Sequence, residues 1–328
     1  MNVLITGGAG FLGLQLARLL LQRGTLNLDG KAVAFERLTL LDVVAPQGLD
    51  QGLDNGRVRV VTGDLSDPAV LRQAIDQDTG AVFHLAAVVS GQAEADFDLG
   101  MRVNLDASRA LLETCRELGH KPRVLFTSSV AVYGGELPPV VQDDTALNPQ
   151  SSYGVQKAIG ELLLSDYSRR GFVDGRVLRL PTISVRPGKP NAAASSFASG
   201  IIREPLSGVA ANCPVAPETK LWLLSPRAAV AALVNGIELA GERLGNRRVI
   251  NLPGVSVTAA GMVDALRRVA GDAVADLVTW EREERIEKIV GTWPAAWNAE
   301  RALSLGFESD ASFDAVIRAY MEDAGVGK

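Results

Sequence analysis

The first thirteen residues, MNVLITGGAGFLG, constrain what this 328-residue chain can fold into more than any other stretch. The apolar run over residues 3–5 has the length of a buried parallel strand, and it ends in Thr6 and a turn carrying Gly7, Gly8, Gly10 and Gly13. The spacing satisfies both G-x-G-x-x-G, from Gly8, and T-G-x-x-G-x-x-G, from Thr6. Glycine lets a backbone turn tightly and come within contact of a diphosphate. The helix expected from Phe11 offers that anion free N–H groups and a partial positive charge. Leu12, Leu16, Leu19 and Leu20 keep a helical stripe running until Gly24. That context separates a dinucleotide-binding turn from an ordinary strand-to-helix connection, which short patterns match by chance.

The 33 basic and 38 acidic residues leave a net charge of −5, which argues against a nucleic-acid or anionic-membrane surface and toward a small partner. Cys115 and Cys213 stand far apart with no C-x-x-C or Cys/His spacing, so neither a disulfide framework nor a metal site is readable. The apolar stretch to Leu21 is broken by Gln15 and Arg18 and follows no basic leader, so the expectation is a cytoplasmic protein without a membrane span.

Strands are expected over 37–41, 58–62, 81–85, 123–127 and 176–180, with helices over 68–76 and 96–118 and another opening at 151–157. This alternation specifies an α/β fold, a Rossmann-type doubly wound parallel sheet with helices on both faces. Ligands of such sheets bind beyond the carboxyl ends of the strands, where the glycines, Asp42, Asp64 and Ser129 fall. Asp42 is positioned to accept both hydroxyls of an adenosine ribose and to repel a phosphate there, which favours NAD over NADP. A polar connector over 24–30 sets it further from the glycines than the usual interval of about 20 residues. Asp64, within Gly63-Asp64-Leu65, can accept from an adenine amine, and Ala86 and Ala87 leave room for a flat cofactor. His84, inside its strand, reads as a satisfied core histidine.

Beyond Pro181 the composition changes. Residues 186–218 are rich in Pro, Ala, Ser and Gly with no long periodic pattern, and read as an irregular cap over the site. A helix over 226–239, a strand over 248–252 that rejoins the sheet, a helix over 259–270, a strand over 274–280 and two short helices after Asn298 complete the chain. The division expected is an NAD-binding domain over 1–180, to which 226–255 returns, and an interleaved substrate-binding cap from 181–225 and 256–328.

Tyr153 and Lys157 stand four apart on a helix, so both project from one face. A free tyrosine titrates near pH 10, so a base useful at pH 7 to 8 needs a depression of about 2 to 3 units, or about 3 to 4 kcal/mol. One cation about 4 Å away at an effective dielectric near 20 supplies about 4 kcal/mol, and an oxidised nicotinamide would add to it. Ser129, at a strand end, can hold the reacting hydroxyl. Singly these read as a helix-start aromatic, a solvated charge and a turn residue; behind a dinucleotide turn, in this order, they read as catalytic.

The strings TGGAGFLG (6–13), GDL (63–65), HLAA (84–87), Asn104, TSSVAVYG (127–134) and YGVQK (153–157) together resemble the extended short-chain dehydrogenases/reductases. The resemblance implies a catalytic Ser129, Tyr153 and Lys157, supported by Asn104 through a water. It implies NAD extended over Gly7, Gly10, Gly13, Asp42 and Asp64, with Phe11, Leu12, Leu65, Leu85, Ala86, Ala87, Asn104, Tyr153, Lys157, Pro181 and Ile183 completing the contacts. It also implies a homodimer built from helices that include the Tyr153 helix. Most relatives that bind nucleotide sugars carry R-Y-F-N-V-Y-G-P after the sixth strand; here the residues from Arg179 to Gly188 read RLPTISVRPG. The stretches over 189–208 and 219–230 instead resemble members that oxidise a four-carbon sugar acid next to its carboxylate.

The function expected is therefore NAD-dependent oxidation of the 2-hydroxyl of a short sugar acid to the 2-oxo acid. A small anionic polyol needs a cation and several hydroxyl partners, and with Ser129 and Tyr153 the cap residues able to supply them are Arg186, Asn191, Ser195, Ser196 and Arg227. The same triad also serves a nucleotide-sugar epimerase or dehydratase, and a sensor that binds NAD without turnover would not need Tyr153 and Lys157.

Overall fold

Side chains on a buried parallel strand point alternately to two covered faces, and the short Val/Leu/Ile runs of this chain do so. The computed structural model describes residues 1–47, 56–190 and 192–326. Strands β1 (Asn2–Thr6), β2 (Arg37–Asp42), β3 (Val58–Thr62), β4 (Thr79–His84), β5 (Arg123–Ser129), β6 (Asp174–Leu180) and β7 (Val249–Asn251) form one parallel seven-stranded sheet in the order β7-β6-β5-β4-β1-β2-β3. The order reverses between β1 and β4, which opens a crevice at their carboxyl ends. Val3, Ile5, Leu40, Phe83, Leu125 and Leu178 pack on the face covered by helices Phe11–Arg23 and Pro226–Glu238. Leu4, Leu41, Val82, Phe126 and Val177 pack on the other, under Pro68–Ala74, Ala107–Leu118 and Ser152–Arg169. The fold is thus the Rossmann-like α/β architecture read from the sequence.

A second core gathers Ile201, Cys213, Leu221, Met262, Leu266 and Val316 from both sides of the 226–252 return. It sits beside a three-stranded sheet of Thr182–Ile183, Lys220–Leu224 and Val255–Thr258. Among the described residues no helix is long and apolar enough to cross a membrane.

The structure departs from the sequence reading in several places. The connector over 24–30 runs into an antiparallel hairpin, Thr25–Leu28 with Lys31–Ala34, and this insertion accounts for the long interval before Asp42. The helix over 96–118 is not continuous: Phe97–Gly100 passes into a π-helical stretch, Met101–Asp106, before Ala107–Leu118. The segment 186–218 contains a regular helix, Phe197–Leu206, whose pattern is masked by glycine and proline within it. In place of a strand over 274–280 there is a turn of helix, Asp272–Ala275, and a two-residue strand, Val278–Thr279, paired with Ala211–Asn212. Helix Glu284–Val290 has no counterpart in the sequence reading. Ala302, Leu305 and Phe307 join the core of the sheet, not of the cap.

The first helix lies directly on the glycine turn: a Cβ at Gly13 would stand 2.3 Å from the Gly7 carbonyl oxygen and 3.0 Å from Gly8 Cα. Because both neighbours are backbone, the whole helix would have to lift. Gly13→Ala should therefore lower stability by about 1 to 3 kcal/mol, read as a fall in denaturation midpoint, and weaken NAD binding in calorimetry.

Candidate active site

At the end of β1 the chain turns against the end of β4. Gly7 has φ +70° and a Cβ there would stand 2.9 Å from the Ala86 nitrogen, so both conformation and space call for glycine. The Gly10 N–H donates to the Gly7 carbonyl at 3.1 Å, and no side chain caps helix Phe11–Arg23, which leaves the Phe11 and Leu12 end of the helix to an anion. Asp42 Oδ2 accepts from the Ala9 N–H at 3.0 Å, which holds the carboxylate beside the turn. Asp64 accepts from the Ser66 N–H and hydroxyl at 2.8 and 2.7 Å, bonds that keep its carboxyl below the usual range. Leu65 beside it is buried, and Leu85, Ala86 and Ala87 follow β4 at the crevice. This cradle fits a dinucleotide: no room for side chains in the turn, open amides at the helix start and carboxylates at two neighbouring strand ends.

Helix Ser152–Arg169 brings Tyr153 and Lys157, the candidate reacting groups, to the end of β5. A Cβ at Gly154 would stand 2.1 Å from the Ala131 carbonyl oxygen, so the helix touches the turn after β5 backbone to backbone. That contact sets Tyr153 against Ser129, whose hydroxyl favours the ionised phenol. One turn on, the buried Lys157 donates from Nζ to the Thr127 carbonyl at 2.9 Å and sits 5.6 Å from the centre of the Tyr153 ring. Burial pushes the Tyr153 phenol up to about 12, against the pull of Ser129 and Arg186, and pushes the Lys157 ammonium down to about 7, against the pull of Glu161. Desolvation outweighs the pull of Ser129 and Arg186, so the phenol is not a base at neutral pH until further positive charge reaches it.

Tyr153 and Ser129 line a recess of about 170 Å³ together with Phe11, Leu12, Pro181, Ile183, Arg186, Ser195 and Trp293. Arg186 is anchored through its backbone, its N–H donating to Ser199 Oγ at 3.0 Å and its carbonyl accepting from Arg203 at 2.7 Å. One buried nitrogen of its guanidinium has no hydrogen-bond partner among the described residues. Such an atom carries a desolvation penalty that an anionic oxygen would relieve. Ser196 faces a separate open groove of about 990 Å³ that Glu204, Glu283 and Arg285 also line. Arg227 lies elsewhere, ion-paired to Asp323 at 2.6 Å and Glu322 at 2.8 Å, so it is not brought to the recess. Asn191 lies outside the described residues.

Asn104 is buried in the π-helical stretch. Its amide exchanges hydrogen bonds with the Val88 backbone at 2.9 and 3.2 Å and donates to Gln156 at 2.8 Å. Among the described residues none of these bonds reaches Tyr153 or Lys157, so Asn104 braces the floor of the site in this state. His84 is satisfied on both nitrogens, as its strand position implies. Ser108 donates to the Asn104 carbonyl at 2.7 Å and so accepts from His84 Nε2 at 2.8 Å; Nδ1 then accepts from the Thr6 hydroxyl at 2.7 Å. Sequence reasoning misses Trp293, Ser90 and Val89 as recess residues. Ser90 and Val89 follow the Ala86-Ala87 pair closely enough to be found from it; Trp293 arrives from a distant segment with no local signal.

The model of the NAD dependent epimerase/dehydratase family matches residues 3–220, and the chain belongs to that family. It is an NAD-dependent oxidoreductase. It is 92% identical over 328 residues to D-erythronate dehydrogenase of Cupriavidus necator, covering 100% of both chains. It is 47% identical to D-erythronate dehydrogenase of Haemophilus influenzae, covering 98% of this chain and 99% of that one. The crystal structure of a protein named as the nucleoside-diphosphate-sugar epimerase from Agrobacterium tumefaciens superposes with a TM-score of 0.91 at 44% identity, covering 100% of this chain and 95% of that one.

Burial, reinforced by the Lys157 charge, holds the His84 imidazole down to about 3 from 6.5. Its contribution to stability is thus present above pH 6.5 and is lost as pH falls toward 3, by up to about 4 kcal/mol. His84→Gln, which keeps polar partners but cannot titrate, should flatten the fall in melting temperature across that window; an unchanged acid limb would rule His84 out as its source.

Proposed function

We propose that the chain oxidises the 2-hydroxyl of D-erythronate, or a similar four-carbon aldonate, to the 2-oxo acid with reduction of NAD+. The observation that carries this reading is the buried nitrogen of Arg186, unpartnered among the described residues, in the same small recess as Tyr153 and Ser129. A carboxylate held there would bring the adjacent carbinol to the phenol. The recess lies well below the roughly 300–1,000 Å³ of sites for drug-sized ligands, which suits a four-carbon acid. The names of two full-length relatives support the same substrate.

In this reading Ser129 orients the substrate hydroxyl and Tyr153 takes its proton as hydride leaves C2, so the C–H and O–H bonds are exchanged for the carbonyl. Bound NAD+ supplies the hydride acceptor and a positive charge beside the phenol. Lys157 holds the nicotinamide ribose and favours the phenolate, and Ser195 is the cap hydroxyl nearest to hand for the substrate. We leave Ser196 and Arg227 out of the substrate set. A homodimer through the Tyr153 helix is supported by the exposed Val155 and Leu162 on its surface.

A nucleotide-sugar reading is favoured by the name of the Agrobacterium protein. The 990 Å³ groove beside the recess is lined by Glu204 and Glu283 against Arg285 alone, an unfavourable balance for a diphosphate. A panel of four- to six-carbon aldonates and UDP- or dTDP-sugars, followed by NADH absorbance and by thermal shift, separates the readings. Turnover is expected with D-erythronate, and stabilisation by sugar nucleotides without aldonate turnover would overturn the proposal. Tyr153→Phe should cut kcat by about 10² to 10⁴ while leaving NAD affinity in place. Arg186→Met should raise KM for the acid by about ten- to a hundredfold.

A further inference from the structure

The helix that carries Tyr153 and Lys157 presents a third side chain on the same face, one turn further on. Glu161 is buried, and its carboxylate accepts from the Ser128 hydroxyl at 2.5 Å and from Arg179 at 2.9 Å on one oxygen and 2.6 Å on the other. Tyr153, Lys157 and Glu161, spaced by four, thus engage Ser129, Thr127 and Ser128, three consecutive residues at the end of β5. Arg179, on β6, is itself fixed by Tyr133 at 2.5 Å and Asn251 at 3.3 Å. A buried carboxylate with this many bonds does not swing.

The ionisable groups around Lys157 come from four directions. On its own helix are Tyr153 and Glu161; from β4 comes neutral His84, from β6 Arg179, and from the cap Arg186, which faces Tyr153. Of these, Glu161 supplies the negative charge that offsets the desolvation of the ammonium. We propose that Glu161 is a positioning residue of this reaction: clamped by Arg179, it fixes the strand end that presents Ser129 and sets its carboxylate one helical turn from Lys157. This rests on the Tyr153 and Lys157 roles proposed above but not on the identity of the substrate.

The test compares parent, Glu161→Gln and the double variant Glu161→Met/Arg179→Met. The double variant replaces the buried pair by apolar groups, an exchange that protein cores often accept, and leaves no orphaned guanidinium if the single variant fails to fold. Tyr153 is titrated in each NAD complex as the tyrosinate absorbance that Tyr153→Phe removes, beside the pH profile of kcat and the NAD dissociation constant. With Lys157 less charged, both the titration and the rising limb of kcat should move up by about one unit, with kcat at pH 7.5 down about tenfold and NAD affinity within about threefold. Titrations that superimpose on the parent in a folded variant would overturn the proposal, whatever acid the enzyme oxidises. Absence of aldonate turnover in the parent would instead overturn the substrate reading and leave the titration result to stand.

Discussion

The chemistry proposed for this protein hangs on the seam between one helix and one strand end. Gly154 lets helix Ser152–Arg169 touch the backbone after β5, and Tyr153, Lys157 and Glu161 then meet Ser129, Thr127 and Ser128 in register. The seam exists because a parallel sheet needs a crossover helix after each strand, and that helix starts or ends at the rim where ligands bind. The same logic puts the glycine turn, Asp42 and Asp64 on the neighbouring strands. Sheet topology supplies the geometry; the side chains supply only the reaction.

The site is charged yet poorly solvated, and this decides its acid–base behaviour. Left to itself the pocket disfavours both the phenolate and the ammonium, holding Tyr153 up at about 12 and Lys157 down at about 7. Such a pair gains its working protonation states only when further charge arrives. In the proposed reaction, proton removal is then tied to a complete active site, which limits wasteful chemistry in the free enzyme.

The parts governed by local periodicity are legible in the sequence. The apolar runs mark the sheet, and the turn between β1 and Phe11–Arg23 announces itself by glycines whose Cβ atoms have nowhere to go. The four-residue step from Tyr153 to Lys157 needs only helix geometry. The long interval before Asp42 is visible as a number, but its cause, the hairpin Thr25–Leu28 and Lys31–Ala34, is not, because two four-residue strands carry too little pattern. Arg227 is misjudged as a substrate cation from sequence because its partners, Glu322 and Asp323, lie 95 and 96 residues away. Trp293 is invisible for the same reason. The π-helical stretch around Asn104 leaves the apolar spacing almost intact, and only coordinates reveal it.

The cap is assembled from two lengths of chain with a piece of the sheet between them: residues after β6 build half of its core, the chain goes back to lay down Pro226–Glu238 and β7, and then returns. A single genetic crossover between two relatives can therefore move a whole cap only if it falls at the end of β6 and carries Pro226–Glu238 and β7 with it; one further on would join half of each cap along a mismatched interior. The borrowed seventh strand and its helix must then pack on the recipient's sheet, so a change of cap is also a test of that second interface.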